Sequence, residues 1–227
     1  MAFTPRIDAA LRYACAVLED SQADRLPVDP IAVAASAGIS VLPFSQVTQN
    51  AAWDPWNLNA ALGMSHATTI SYPGFCVIYR DEVQDAGRLR WAVAHELGHL
   101  FLNHFRDYPD QMSPGFSADS GLEAEADIFA RNLLAPVPLV DVIRYNRPRQ
   151  ARAPLFGLSR SAWMRRLETL AEDRSFLSAE MADAVLYPFR SYLLKRRCAR
   201  CGRVFEDRRD AGRCPGCKGE ELEWLLE

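Results

Sequence analysis

Two histidines stand one helical turn apart in WAVAHELGHLFLNH (residues 91–104), with a glutamate directly after the first. On an α-helix, positions i and i+4 share a face, so the imidazoles of His95 and His99 can reach one zinc ion. Glu96 follows about 100° further round the helix, at the edge of the same site, where its carboxylate can take a proton from an attacking water. The surrounding run is apolar, with Trp91, Ala92, Val93 and Ala94 on one side and Leu97, Leu100, Phe101 and Leu102 interleaved on the other. Polar groups buried in such a helix need partners, and the choice lies between a metal ion and backbone carbonyls.

A hydrolytic zinc takes a third protein ligand and keeps a fourth position open. His104 lies off the spacing that a third histidine on this motif would need, and it reads as a helix-end histidine near the negative pole of the dipole. A carboxylate from GLEAEADIFARNLLAP (residues 121–136) is the better choice. Leu122, Ala126, Phe129, Ala130, Leu133 and Leu134 form the apolar stripe of that helix, and Glu123 falls inside its arc. A carboxylate held in an apolar arc needs a cation, so Glu123 is the expected ligand, with Glu125, near the opposite edge, as the alternative. Asp127, at i+4 from Glu123, can accept the second ring proton of a ligating histidine. For the side chain that stabilises an oxyanion, Tyr72, Tyr108 and His104 stay open.

The elements that must position these residues follow from periodicity and breakers. Apolar spacing predicts helices over about 6–19, 85–105, 119–135, 137–146 and 158–173, and a short one begun by Asp29-Pro30 and stopped by Gly38. Strands are expected at 39–44, near 66–71 and at 75–80, the last two separated by Pro73-Gly74. Residues 45–62 read as a long loop, and RPRQARAPLFG as a basic linker. The pattern is α+β, mostly helical. Three parts are expected: residues 1–175 as the domain that carries the histidine motif, 176–197 as a basic helical connector, and 198–227 as a small metal-bound ribbon.

That ribbon rests on CARCGRVFEDRRDAGRCPGCKG, in which Cys198/Cys201 and Cys214/Cys217 form two C-x-x-C pairs, each with a glycine shortly after it. Four thiolates at this spacing suit a closed tetrahedral zinc site, which can hold together a segment too short for its own core; a redox dithiol pair is the competing reading. Two zinc ions per chain are therefore expected, one in each cluster. Of the two isolated cysteines, Cys76 lies in the strand FCVIYR before the histidine helix. It is a candidate inhibitory fourth ligand of the first zinc, against the plainer reading of a small buried side chain.

The net charge of −3 hides an asymmetry: residues 1–140 carry a net −8 and residues 142–213 a net +9. Lys195, Arg196, Arg197, Arg200, Arg203, Arg208, Arg209 and Arg213 surround the cysteine pairs, with Phe205 available for stacking. Such a surface suits the phosphates of DNA, single-stranded DNA included, and a protein-docking ribbon or a solvated arginine face would share its composition. Composition is otherwise that of a globular chain, with no run of apolar residues long enough for a membrane span and no secretory pattern at the N-terminus, so the cytoplasm is the expected location.

RLRWAVAHELGHLFLNH followed by EAEADIFARNLLAP closely resembles the ImmA/IrrE family of metallopeptidases, and the likeness covers most of residues 27–173. The resemblance implies a zincin-like (gluzincin) fold, ligands at His95, His99 and Glu123, Glu96 as general base, and endopeptidase activity on helix-turn-helix repressors. The cysteine-bearing tail is similar to that of CapP-type regulators of anti-phage defence operons. The expectation is a zinc endopeptidase that removes a repressor when nucleic acid signals damage or infection. The alternative is a nucleic-acid-binding regulator whose zincin-like core holds a partner without proteolysis; the intact Glu96 speaks against it.

Overall fold

The computed structural model describes residues 4–47, 66–71, 74–110, 112, 120–146, 149–207 and 212–224. The expected loop at 45–62 lies mostly outside them. The described residues are mixed α+β, mainly helical with two small sheets, and none of the described helices is long and apolar enough to cross a membrane.

Three elements form the frame that carries the histidines. Helix α4 (Ala86–Phe101) starts where the Asp85 side chain accepts the N–H groups of Gly87 at 2.9 Å and Arg88 at 3.1 Å. It packs along α6 (Ser120–Leu134), and both bury their apolar stripes in one core. Gly98 is what lets them approach: a Cβ there would stand 2.9 Å from Cα and 3.0 Å from the carbonyl oxygen of Ala126. Phe101 stacks on Phe129 one turn further along, with ring centroids 5.7 Å apart. On the other side, α1 (Ile7–Ser21) lays Leu11, Ala14 and Leu18 against α6.

The first sheet has the order β1-β3-β2, from β1 (Ser40–Pro43), β2 (Ala67–Ser71) and β3 (Phe75–Tyr79). β1 runs parallel to β3 in the register Val41↔Val77, and it follows α2 (Pro30–Ser36) after Gly38 turns the chain with φ +72°. β2 pairs antiparallel with β3 in the register Thr69↔Val77 and borders α4. A turn of helix, α3 (Phe44–Val47), follows β1 where the sequence predicts strand up to residue 44.

Two other expectations change. The helix predicted to residue 105 stops at Leu102, because Asn103 adopts the left-handed conformation (φ 59°) and a separate turn, α5 (His104–Asp107), begins after it. RPRQARAPLFG is in part helix α8 (Arg149–Leu155), with Pro154 in its last turn, between α7 (Val137–Asn146) and α9 (Arg160–Ser175). The segment 176–197 carries α10 (Ala179–Leu186) and α11 (Arg190–Leu194), and its Val185, Phe189 and Tyr192 lie in the main core.

A second sheet, of order β5-β4-β6, gathers β4 (Lys195–Cys198), β5 (Val204–Glu206) and β6 (Leu222–Trp224) around the cysteine pairs.

Candidate metal centre

Helices α4 and α6 bring three side chains to a point. Nε2 of His95 and Nε2 of His99 are 3.1 Å apart, and the Glu123 carboxylate lies beside both, its Oε2 3.2 Å from the first and its Oε1 3.4 Å from the second. A tetrahedral ion with ligand bonds near 2.0–2.1 Å spaces its ligands by about 3.3 Å, and the contacts among the three side chains lie close to that spacing. Glu125, the alternative ligand, faces the other way: it is wholly buried against Arg6 and His104.

The electrostatics agree with a cation at this point. Hydrogen bonds from His95 and His99 hold the Glu123 carboxyl well below the usual carboxylate range, against the effect of burial. Burial alone would lower the pKa of His95, but its contacts to Asp127 and Glu123 outweigh that and raise it to about 10. A positive charge belongs here, and a proton or a metal ion can supply it. Asp127 stands where expected: Nδ1 of His95 donates to its Oδ1 at 2.9 Å, which turns Nε2 toward the cluster.

Glu96 sits beside the cluster, partly buried, and the hydroxyl of Thr69 on β2 donates to its Oε2 at 2.7 Å. Burial raises its pKa, while His95, His99 and Thr69 pull it down. A cleft of about 700 Å³ opens on this side, lined by His66, Trp91, His95, Glu96, Asp127 and Arg165 among others. Thr69 is missed by the sequence reading; its one signal is a β-branched polar residue in β2, the second strand before the motif helix.

Cys76 does not reach this cluster. Strand β3 alternates its side chains, so Val77 joins the core under α4, and Phe75 meets Phe105 at 5.4 Å between ring centroids. Cys76 and Ile78 turn to the opposite face, with Val47 and Ile70. Burial pushes the Cys76 thiol up, which keeps it protonated among apolar neighbours. His104 is likewise withdrawn from the oxyanion role, because it lies buried behind His99 with Nδ1 atoms 2.9 Å apart. Tyr108 stands edge-on to His104, and Tyr72 lies outside the described residues.

The four ribbon cysteines also converge, with sulfur atoms 3.5 Å apart for Cys198 and Cys217 and 3.6 Å for Cys201 and Cys214. Ligand atoms in each of the two groups lie within 4.8 Å of one another, so either group could hold a metal ion. Each pair closes a tight turn: the N–H of Gly202 donates to Cys198 O at 2.8 Å and that of Lys218 to Cys214 O at 3.0 Å. Gly202 has the expected left-handed backbone, but in the second turn Lys218 carries it, at φ 61°, one residue before Gly219. N–H groups of Cys217 and Gly216 aimed at Cys214 lower its thiol to about 6. Cys201 moves to about 11: the N–H of Arg203 lowers it, but the sulfurs of Cys217, Cys214 and Cys198 outweigh that. Four thiolates cannot share so small a volume without a cation.

The basic side chains of the tail divide. Lys195, Arg200, Arg203 and Arg213 are exposed, Arg213 in an ion pair with Glu220 at 2.8 Å. Arg197 is half-buried. Arg196 leaves the proposed surface altogether: on the central strand of the ribbon it is 5% exposed and its guanidinium donates to the carbonyl of Leu193 at 3.2 Å. Phe205 is partly buried opposite it. Arg208 and Arg209 lie outside the described residues. Among known proteins, no family model matches this chain and no curated relative does either.

Proposed function

We propose that this chain is a zinc endopeptidase of the ImmA/IrrE type, which cuts a helix-turn-helix repressor in the cytoplasm and is released to act by nucleic acid at its C-terminal ribbon. The observation that carries this reading is the convergence of His95, His99 and Glu123 from two helices, with Glu96 beside them and Asp127 behind His95. Two imidazoles and a carboxylate suit zinc with an open position, and the four ribbon thiolates suit a second, structural zinc. A sheet bordering the motif helix, with antiparallel β2 last in the strand order beside Glu96, fits a zincin-like fold.

Zinc held by these three side chains supplies Lewis acidity to a peptide carbonyl and lets water act as a nucleophile near neutral pH. Thr69 anchors one Glu96 oxygen, Oε2, so Oε1 is the one that takes the proton of the attacking water and hands it to the leaving amine. Burial raises the affinity of Glu96 for that proton, as a general base working near neutrality requires. Asp127 holds His95 in the ligating tautomer. The cleft from His95 and Glu96 past Trp91 to Arg165 receives the extended substrate segment, and Lys195, Arg200, Arg203 and Arg213 offer their charges to phosphates.

The test is incubation of the chain with the products of its neighbouring genes, any helix-turn-helix protein among them first, followed by mass spectrometry with and without single-stranded DNA. Glu96→Gln keeps the shape of the site and should retain its zinc while cleaving at least about 10²-fold more slowly. Undiminished cleavage by that variant, or partner binding with no cleavage by the unaltered chain, contradicts the proposal.

A further inference from the structure

His104 takes no part in the chemistry above, yet it is fully buried directly behind a candidate ligand. Its Nδ1 stands 2.9 Å from Nδ1 of His99, and its Nε2 3.0 Å from Oε2 of Glu125. Arg6 closes the far side of that carboxylate, its backbone N–H reaching Oε1 at 2.6 Å and its Nη2 reaching Oε2 at 2.8 Å. Glu125 is 0% exposed, so this ion pair is sealed within the fold at its acidic end.

One distribution of hydrogens satisfies these contacts with neutral rings. An ionised carboxylate only accepts, so Nε2 of His104 carries the hydrogen it gives to Glu125. A neutral imidazole holds one N–H, which leaves Nδ1 of His104 as a bare acceptor. The hydrogen between the two rings therefore belongs to Nδ1 of His99. His99 then presents its lone pair at Nε2, the atom 3.1 Å from Nε2 of His95 and 3.4 Å from Glu123.

We propose that His104, oriented by Glu125 and Arg6, is a positioning residue that locks His99 in its metal-ligating tautomer and aims Nε2 at the ion. The two ligands are thus held in different ways. His95 leans on Asp127, a carboxylate whose side chain is 52% exposed, whereas His99 is held from inside by a ring backed by an ion pair. The inner chain ends at Arg6, immediately before α1, so it ties the metal centre to the N-terminal segment. This inference rests on reading His95, His99 and Glu123 as a metal site, and its test reads tautomers and affinity rather than cleavage.

In the zinc-loaded full chain, long-range ¹H–¹⁵N NMR should find the hydrogen of His99 on Nδ1 and that of His104 on Nε2. A His104 protonated at Nδ1, with zinc bound, overturns this inference alone. Failure of zinc to bind at His95, His99 and Glu123 overturns the metal reading with it. By chelator competition, with the ribbon zinc as internal reference, His104→Phe keeps the bulk but not the acceptor and should weaken zinc binding about 10–100-fold. His104→Asn, whose Oδ1 returns an acceptor near the place of Nδ1, should recover most of that loss. Unchanged affinity in a folded His104→Phe overturns the proposal; if that variant does not fold, the tautomers of the unaltered chain decide.

Discussion

Gly98→Ala is a one-carbon test of how the candidate site is assembled. The added Cβ would lie 2.9 Å from Cα and 3.0 Å from the carbonyl oxygen of Ala126, where ordinary contacts begin near 3.4 Å. Both obstacles are backbone, so no rotamer change relieves them and α4 and α6 must part by on the order of 0.5 Å. Overpacking of this kind costs about 1–3 kcal/mol, while replacing a helical glycine by alanine returns about 1 kcal/mol. The net loss of fold stability is therefore small, about 0–2 kcal/mol. The ligand cluster is less forgiving. His99 follows Gly98 directly, Glu123 lies one turn before Ala126, and the 3.4 Å between their ligand atoms spans the gap being widened. A metal site tolerates deviations of about 0.2 Å in its ligand distances, so zinc should bind at least about tenfold more weakly. Thermal melting and chelator competition measure the two effects separately. Ala126→Gly should not rescue the variant, because Cα and the carbonyl oxygen stay in place. Zinc affinity equal to the wild type would refute the claim that this close approach sets the ligand geometry.

Three more outcomes follow from other parts of the structure. Asp173 is fully buried between Arg131, Arg166 and Asn132, so Asp173→Ala strands the 3%-exposed Arg166 and should cost about 3–5 kcal/mol in denaturant unfolding. Burial pushes the Asp173 pKa up, but the two arginines hold it below the ordinary value; its contribution should therefore be complete above about pH 4 and lost as pH falls further, a loss the alanine variant should not show. Thr69→Val removes a hydrogen bond that lowers the Glu96 pKa, so the acid limb of kcat/KM should move to higher pH; an unmoved limb contradicts the assignment of Glu96 as the base. Arg200→Glu with Arg203→Glu should weaken binding of single-stranded DNA and flatten its salt dependence, and binding indifferent to both would favour protein docking at the ribbon.

Much of the candidate site was legible because it rests on helix geometry. The i, i+4 pair and the position of Glu123 in an apolar arc require only 3.6 residues per turn, and the structure brings those three residues together. Which of the two readings holds for Cys76 is not legible locally, because the strand FCVIY buries its middle residues on both faces and no polar alternation marks which side meets α4; the plainer one, a small buried side chain, is the one the structure supports. The place of His104 depends on Asn103 turning left-handed, a conformation asparagine tolerates without the glycine that would announce it. Glu125 finds its partner 119 residues away in Arg6, a pairing that no local pattern encodes. Nothing in the sequence distinguishes Arg196 from the surface arginines around it, and the central place of β4 is what buries it.

Anomalous diffraction at the zinc edge from crystals of the zinc-loaded chain tests the central claim most directly. Two peaks are predicted per chain. One lies between Nε2 of His95, Nε2 of His99 and the Glu123 carboxylate, with Glu96 beside it but not ligating; the other lies among Cys198, Cys201, Cys214 and Cys217. No peak at the first position, or a peak there ligated by Glu96 or by the Cys76 sulfur, would contradict the account.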